Sequence, residues 1–309
     1  MFELRSPGIT AQFSPWGAKL LSCVVDGVEV VFGPGADVEG RAGDLYSGAI
    51  CGRHAGRVSN SCFPLDGAMV TLQPNAGPHQ LHGGETGFHG RQWSGIERGD
   101  MIEFKLVSPD GDEGYPGWLN VTATYQLQGT VLSLDIAATT TKPTLCNLTN
   151  HAYWNMAGKG AGRGSVLNHE LQIHGDHYFP LSDLLLPVGE IAPIAGTRWD
   201  FRKARLIAED YDNCFLLNGK RGEMKHGLSL RDPESGRALD VWTTEACMQV
   251  YTAIRWLPLV IGRGGPLQPS QALAIEPQNV ADAPNHPAFP SSILRPGETY
   301  RNRMEWRFS

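Results

Sequence analysis

Residues 101–138 read MIEFKLVSPDGDEGYPGWLNVTATYQLQGTVLSLDIAA and show the pattern on which the fold prediction rests. Apolar residues alternate with polar ones in the segments 102–106, 121–127 and 132–136. Because successive side chains of a strand point to opposite faces, each segment predicts a strand that buries one face. A cluster of Pro, Asp and Gly at residues 109–114 separates the first two segments. The region therefore predicts short strands joined by turns.

The rest of the chain repeats this pattern, for example at Met304, Trp306 and Phe308. Gly (37) and Pro (21) are abundant among the 309 residues, which is typical of a chain with many turns. Clean helical stripes are absent, and residues 203–210 are the best helical candidate, a short and weak one. We therefore predict an all-β fold, a large antiparallel β-sandwich, as a single domain of residues 1–309. Residues 263–269 are predicted to be a loop, and two β domains are the alternative.

The charge balance argues against nucleic acid and membrane surfaces as partners. The chain has 26 Lys and Arg against 32 Asp and Glu, a net charge of −6, and no basic run. No run of apolar residues is long enough to span a bilayer. Six irregularly spaced cysteines and an N-terminus without the apolar region of a secretory signal predict reduced, mostly buried thiols in a cytoplasmic protein.

The first polar cluster that could perform chemistry is residues 52–58, GRHAGRV. Arg53 or Arg57 could present a guanidinium to a ligand hydroxyl or carboxylate, because this group is a planar fork of donors. The alternative is an arginine that braces a loop by donating to backbone carbonyls, and the cluster alone favours it. The glycine spacing matches neither the P-loop nor the dinucleotide fingerprint.

Two further clusters combine histidine with glycine or with aromatic residues. Residues 81–85 (LHGGE) place His82 before paired glycines, where the backbone must bend closely round something; an exposed histidine in a turn is the alternative. Residues 147–155 (NLTNHAYWN) hold His151 and Tyr153 among asparagines. Aromatic rings beside polar donors suit a sugar, and such polar groups are costly to bury unpartnered, so a functional role is favoured over a core strand.

Carboxylates stand in two more segments, at Asp212 in YDN (211–213) and at Glu276 in IEPQN (275–279). Strand parity puts Glu276 on the face opposite Leu273 and Ile275, or at the end of the strand, where it could be a general base. Taken alone, Glu276 is more simply interpreted as an exposed charge on a sheet edge.

A metal site and a covalent nucleophile are both disfavoured. His169, His174 and His177 are close in sequence, but their spacing fits no familiar zinc pattern, so no metal site is predicted. A GxSxG nucleophile elbow is absent, and no pattern supports a cysteine nucleophile.

Taken in order, these segments resemble the aldose 1-epimerase family, also called galactose mutarotases. The resemblance runs nearly end to end, and the combination of motifs is specific although each motif alone is not. The segments that carry it are residues 52–58, 63–67 (FPLDG), 75–93 (NAGPHQLHGGETGFHGRQW), 148–158 (LTNHAYWNMAG), 178–202 with LPVGEIAPIAGTRWDFR, 211–215 (YDNCF), 249–252 (QVYT) and 276–297.

The resemblance implies a galactose mutarotase-like β-sandwich that binds a small-molecule sugar in an open cleft, as a monomer or homodimer, without a metal or cofactor. It implies that His151 is the general acid and Glu276 the general base. It also implies sugar contacts, which fall on Arg57, His82, Asp212 and, less directly, Tyr153 and Gln249.

This assignment agrees with the chemistry of anomer exchange. A base removes the proton of the C1 hydroxyl while an acid protonates the ring oxygen, the ring opens to an aldehyde, and the C1–C2 bond rotates before reclosure. The base must be ionised and the acid protonated at the same pH. A nearby carboxylate is therefore expected to hold up the pKa of His151, and Asp212 is the candidate.

Three positions near the expected sugar contacts depart from the family pattern. Gly56 stands where Asn is more frequent, Asn213 and Cys214 where His-Asn is, and Ala253 and Ile254 where Gly-Asn is. These departures put galactose in question as the preferred sugar. The alternatives are a mutarotase for another sugar or a sugar phosphate, a non-catalytic sugar-binding or regulatory protein, and a lyase or hydrolase on a similar sandwich. No extra basic cluster that would grip a phosphate is visible.

Overall fold

The computed structural model describes residues 1–32, 46–158, 164–255 and 268–309, together with the backbone of strand residues 261–262 and 265–266. In chain order its strands are β1 Phe2–Ser6, β2 Ile9–Ser14, β3 Lys19–Val25, β4 Val28–Glu29, β5 Val31–Phe32, β6 Ile50–Cys51, β7 Arg57–Val58, β8 Cys62–Leu65, β9 Ala68–Thr71, β10 Gln80–Leu81, β11 Ser94–Arg98, β12 Met101–Ser108, β13 Leu119–Gln128, β14 Val131–Thr140, β15 Thr144–Leu145, β16 Thr149–Asn150, β17 Tyr153–Trp154, β18 Glu170–Ile173, β19 His177–Tyr178, β20 Ala192–Pro193, β21 Arg205–Leu206, β22 Asp212–Leu216, β23 Lys225–Arg231, β24 Ala238–Thr243, β25 Cys247–Tyr251, β26 Ile261–Gly262, β27 Gly265–Pro266, β28 Leu273–Gln278, β29 Ile293–Leu294 and β30 Tyr300–Phe308.

The alternating segments of residues 101–138 form one side of a nine-stranded antiparallel sheet in the order β11-β12-β13-β14-β30-β24-β23-β18-β21. Ile102 lies opposite Tyr125, and Tyr125 lies opposite Leu134, and all three side chains are fully buried. Burial along β12, β13 and β14 alternates with a period of two because one face packs on the core. The strands predicted from the alternation are therefore confirmed.

A seven-stranded antiparallel sheet, in the order β20-β19-β22-β25-β28-β17-β5, packs against the nine-stranded sheet. Trp154 of β17 and Trp306 of β30 meet with ring centroids 5.6 Å apart, and both are fully buried. A four-stranded sheet of β1 to β4 contributes Ala11 and Phe13 to the same core. Burial of large apolar side chains between sheets is the main stabilising contribution in such a sandwich. The prediction of an all-β sandwich is confirmed.

Strand parity in the seven-stranded sheet positions one of the candidate catalytic groups. Ile275 of β28 and Val250 of β25 point into the core, whereas their chain neighbours Glu276 and Gln249 face the opposite side. Strand β28 is central, between β25 and β17, and Glu276 is only 2% exposed. The parity prediction is confirmed, and the interpretation of Glu276 as an exposed charge on a sheet edge is wrong.

Two local predictions are wrong. Residues 203–210 form no helix, because Arg205–Leu206 is a strand that pairs with β18 at the edge of the nine-stranded sheet. Within residues 263–269, Gly265–Pro266 is a strand paired with Ile261–Gly262 rather than a loop, and residues 263, 264 and 267 lie outside the described residues. The helices of the described residues are three-residue 3-10 turns at Ser59–Ser61, Phe88–Gly90, Asp112–Gly114, Val166–Asn168 and Ala283–Asn285.

All six cysteines are free thiols and five of them are buried, as predicted. Burial raises the pKa of Cys23 and of Cys146, which keeps both thiols protonated and unreactive. Within the described part of the chain, no helix has the length and apolar character that crossing a bilayer would need.

Candidate active site

A cleft opens on the face of the seven-stranded sheet that points away from the core. Its floor is made of side chains from four neighbouring strands, namely Tyr153 of β17, Glu276 and Gln278 of β28, Gln249 and Tyr251 of β25, and Asp212 of β22. Its walls come from loops and short strands that carry Tyr46, Arg57, His82, His151 and Arg255. The structure thus brings all seven residues proposed from the sequence into one cleft. Neighbouring strands lie about 4.8 Å apart, so the floor from β28 to β22 spans about 10 Å, which one substituted pyranose can bridge.

His151 and Glu276 meet in this cleft although they are far apart in sequence. The Nε2 atom of His151 lies 3.4 Å from Oε1 of Glu276, and both side chains are almost fully buried. The backbone of His151 is held on both sides, because its N–H donates to the Ala49 carbonyl and its own carbonyl accepts from the Gly48 N–H. Oε2 of Glu276 has no hydrogen-bond partner among the described residues. A buried carboxyl oxygen without a partner is costly unless a ligand or a water molecule supplies one.

Burial dominates the proton equilibria of this pair. It raises the pKa of Glu276 well above the ordinary carboxyl value, with help from the Asp212 charge, and it lowers the pKa of His151 to about 4. The expectation that Asp212 holds up the pKa of His151 is wrong, because Asp212 acts on Glu276 and the carboxyl group next to the imidazole is Glu276 itself. Groups this close titrate as a unit, and the pair holds one proton over a broad pH range.

His82 supplies a neutral hydrogen-bond donor on the cleft wall. Its Nδ1 accepts from the Gly56 N–H at 3.2 Å, which assigns the ring proton to Nε2. Burial, aided by His151, lowers the pKa of His82 well below its ordinary value, so the ring is neutral. The paired glycines allow the chain to pack on itself rather than on a ligand, because a Cβ at Gly83 would lie 1.8 Å from the Gly52 carbonyl oxygen.

Two arginines and one carboxylate form the charged end of the cleft. Oδ2 of Asp212 accepts from Nη1 of Arg255 at 3.0 Å, and Oδ1 accepts from Nε2 of Gln249 at 2.8 Å. Arg57 is half-buried, and its side chain has no hydrogen-bond partner in the part of the chain that the structure describes. Burial raises the pKa of Asp212, and the positive charges of Arg255 and Arg57 oppose this rise.

Aromatic rings surround the histidines of the cleft. The ring centroid of Tyr46 lies 4.6 Å from that of His82, and the Tyr46 ring is nearly parallel to that of His151 at 6.1 Å. The ring centroid of Tyr153 lies 5.0 Å from that of His151. Burial raises the pKa of Tyr46 to about 12, so its hydroxyl is neutral and can donate. Such rings suit the apolar C–H faces of a sugar.

Arg53 has the bracing role that the sequence left open. Its guanidinium donates to the carbonyls of Ser108, Pro109 and Pro116 at 2.9, 2.8 and 3.0 Å, and its side chain is buried. Arg57, four residues later, lines the cleft instead. The two arginines of residues 52–58 therefore have different tasks, one in the fold and one at the site.

Replacing Arg53 with Met is expected to lower the free energy of unfolding by roughly 3 kcal/mol, because the buried carbonyl of Ser108 and the partly buried carbonyls of Pro109 and Pro116 lose their donor, and a buried group left unpaired costs about 1–3 kcal/mol. Arg57→Met is the matched control. It should change the free energy of unfolding by less than about 0.5 kcal/mol and weaken the binding of a ligand in the cleft, because Arg57 faces the cleft. Urea titrations and ligand-binding titrations measure the two quantities. Equal losses of stability in the two variants would contradict this division.

The asparagines of residues 147–155 bond internally. Asn147, Asn150 and Asn155 each donate to backbone carbonyls and accept from a backbone N–H. Only His151 and Tyr153 of this cluster line the cleft. The functional interpretation of the cluster is therefore wrong for the asparagines, which hold the loop that carries His151.

The ligand atoms that could hold a metal ion converge in the cleft. One such atom from each of His82, His151 and Glu276 lies within 4.8 Å of the others. A cation bound there would occupy the lone pairs that proton transfer needs, so the two uses of these atoms exclude each other. His169, one of the three histidines close in sequence, has another partner, because its Nε2 accepts from the Met156 N–H at 3.0 Å.

Sequence reasoning missed several residues that line the cleft, notably Tyr46, Tyr251 and Arg255. Tyr251 could have been found, because it is two residues from Gln249 on the same strand and thus on the same face. Tyr46 and Arg255 lie outside regular strands, where no periodicity assigns a direction to a side chain.

The outer face of this β-sandwich carries an imidazole next to a carboxyl group, among side chains suited to hydroxyls and to the faces of a ring. Such a site is typical of proteins that act on carbohydrates by acid–base chemistry. The sequence matches the family described as aldose 1-epimerase over residues 1–307. It is 35% identical over 332 residues to a galactose mutarotase of Mus musculus, covering 100% of this chain and 93% of the relative. It is 36% identical over 326 residues to an aldose 1-epimerase of Escherichia coli K12, covering 98% and 93%.

A solved structure, an aldose epimerase homologue from C. elegans, matches the fold with a TM-score of 0.92 at 30% identity, covering 100% of this chain and 98% of that one. The chain belongs to the aldose 1-epimerase family. It is an isomerase that interconverts the α and β anomers of an aldose, and the resemblance seen in the sequence is confirmed.

Proposed function

We propose that His151 and Glu276 are the acid–base pair of this isomerase, with Glu276 acting on the C1 hydroxyl and His151 on the ring oxygen. The observation that carries this assignment is the 3.4 Å separation of Nε2 and Oε1 inside one cleft. The two sugar oxygens are bonded to the same carbon, so neighbouring acid and base groups can reach both at once. Ring opening, rotation about C1–C2 and reclosure with reversed roles then produce the other anomer.

The proton of the pair moves from Glu276 to His151 when the sugar binds. In the empty cleft, burial raises the pKa of Glu276 and lowers that of His151, which favours the two neutral forms. A bound C1 hydroxyl donates to the carboxylate and the ring oxygen accepts from the imidazolium, and hydrogen bonds to a charged form favour that form. The bound pair therefore holds an ionised base and a protonated acid with no change in its number of protons.

The other residues of the cleft hold the sugar. Arg57 and the Nε2–H of His82 donate to hydroxyl oxygens, and Asp212 accepts from hydroxyl groups. Gln249 donates to Asp212 and lies opposite Glu276 in the sheet, which places its amide between the two carboxyl groups. Tyr153 packs on the ring. These contacts fix the sugar against the acid and base, which converts a bimolecular encounter into an oriented reaction.

The substrate is an aldohexose, and galactose is the first candidate because relatives at about 35% identity are named galactose mutarotase. Residues 1–309 form one β-sandwich domain, in keeping with one apolar core that takes side chains from all three large sheets. The protein works in the cytoplasm, in keeping with six unpaired thiols.

The pH profile of anomer exchange is expected to have a broad plateau through neutral pH and to fall on the acid side only near pH 4. Below the pKa of about 4 for His151, the pair takes up a second proton and has no base left. The alkaline fall is expected where the raised pKa of Glu276 lets the pair lose its last proton. Polarimetry on freshly dissolved α-galactose, extrapolated to zero buffer concentration, measures the profile.

An acid limb centred near the ordinary imidazole value of 6.5 would contradict the shared proton, because His151 would then titrate as an independent group. The same traces separate the alternatives. A non-catalytic sugar-binding protein would leave the relaxation rate at that of buffer, and a lyase or hydrolase would form a new product from an oligosaccharide. Acceleration toward the same final rotation is the result expected here.

A further inference from the structure

We propose that Arg255 binds an anionic substituent at the end of the sugar remote from C1, and that a hexuronate such as galacturonate is therefore a substrate. The inference rests on the proposed function, because Glu276 sets which end of the sugar lies at C1. It concerns a residue that no sequence motif indicated and that the acid–base chemistry does not use.

Arg255 lies at the end of the cleft floor that is remote from Glu276, the proposed base. Glu276 of β28 lies directly across from Gln249 of β25, and Gln249 donates to Asp212 of β22 at 2.8 Å. Arg255 binds the far oxygen of that carboxylate at 3.0 Å. Two strand spacings, or about 10 Å, therefore separate Glu276 from Asp212, the carboxylate to which Arg255 is bound. A pyranose with C1 at Glu276 directs its opposite edge and its C6 substituent toward this end.

The backbone of Arg255 is anchored beside the cleft. Its N–H donates to the hydroxyl of Tyr251 at 2.9 Å, and Tyr251 itself lines the cleft. Ala253, with a left-handed φ of 54°, turns the chain between these two residues. This turn contains Ala253 and Ile254, the pair that departs from the pattern of the family. One of the departures that put galactose in question is thus the turn that places the guanidinium of Arg255 at the cleft.

The charges at this end of the cleft do not balance. Among the described residues that line this end, Arg57 and Arg255 are two cations, and Asp212 is the carboxylate that interacts with both. Arg255 uses Nη1 on Asp212, while its Nε and Nη2 have no hydrogen-bond partner within the described residues, and its side chain is 54% exposed. This end of the cleft therefore has one more positive charge than negative charge. The planar guanidinium of Arg255, with its free N–H donors, can bind one ligand carboxylate. A phosphate monoester, close to a dianion at neutral pH, would need two unpaired cations.

Galactose and galacturonate test the inference because they share every stereocentre and differ only in a hydroxymethyl group or a carboxylate at C6. Magnetisation-exchange NMR at pH 7 gives kcat/KM for each sugar. The wild-type protein is expected to accelerate both, and Arg255→Met is expected to lower the galacturonate-to-galactose ratio of kcat/KM at least tenfold. Arg301→Met is the matched control, because Arg301 also pairs with an aspartate, Asp135, but outside the cleft. Its ratio should equal that of the wild type.

Two results would overturn the inference. An unchanged ratio in Arg255→Met, including an equal loss for both sugars, would mean that Arg255 only positions Asp212. A larger loss of kcat/KM for galactose 6-phosphate than for galacturonate in Arg255→Met would mean that Arg255 binds a phosphate rather than a carboxylate. Thermal melting of each variant verifies that it is folded.

Failure of the proposed function gives a different result. If the wild-type protein accelerates neither sugar, the proposed function fails for galactose and for galacturonate, and calorimetric titration then tests Arg255 without catalysis. Galacturonate is expected to bind more tightly than galactose, and Arg255→Met is expected to weaken galacturonate binding about tenfold while sparing galactose. Equal binding of the two sugars by the wild-type protein would reject the role of Arg255.

Discussion

Replacing Glu276 with Gln is expected to lower kcat for anomer exchange by roughly 10²–10⁴-fold while leaving the protein folded. The amide has the shape of the carboxyl group but cannot take the proton of the C1 hydroxyl. It also resembles the form that Glu276 has in the empty cleft, because burial raises the pKa of this group well above its ordinary value. The free energy of unfolding near pH 7 should therefore not fall. Polarimetry and urea titration measure the two effects.

Glu245→Gln is the matched control, because Glu245 is a second fully buried glutamate with a structural partner. It binds Arg221 at 2.9 Å and accepts from the Tyr300 hydroxyl at 3.1 Å, and it does not line the cleft. This variant is expected to lose stability, because Arg221 keeps its charge and loses its counterion, while kcat per folded molecule is unchanged. A loss of kcat below tenfold in Glu276→Gln would show that another group is the base.

The strands of residues 101–138 could be predicted because a period of two is a local property of a chain with one buried face. The region around Arg205–Leu206 could not, because these two residues form a strand through pairing with β18 across the sheet rather than through their own pattern. A pairing of this kind depends on how the whole sandwich closes, and no short window of sequence contains it.

The active site could also be predicted only in part from the sequence. The residue types of the acid and base, and the face on which Glu276 lies, follow from chemistry and strand parity. Which of the two groups holds the shared proton could not be predicted from the sequence. It depends on the desolvation that the packed sheets impose on His151 and Glu276. Arg53 and Arg57 are equivalent in the sequence, and only the three carbonyls around Arg53 distinguish a brace from a ligand-binding group.

Replacing His151 with Gln is expected to lower kcat by roughly 10²–10⁴-fold, because the amide can donate a hydrogen bond to the ring oxygen but cannot transfer a proton. His169→Gln is the matched control. His169 is also buried, but its Nε2 accepts from the Met156 N–H, so its loss should reduce the free energy of unfolding and spare kcat. Initial rates and urea titrations of the two variants should therefore show opposite patterns.

The double variant of His151→Gln and Glu276→Gln tests whether the two groups act as one unit. Because a single proton passes between Nε2 and Oε1, removing either group already disables the transfer, and the second substitution removes nothing further. The double variant is therefore expected to be no slower than the slower single variant. Losses that multiply would mean that the imidazole and the carboxyl group contribute independently, which would contradict the shared proton and require another partner for each of them.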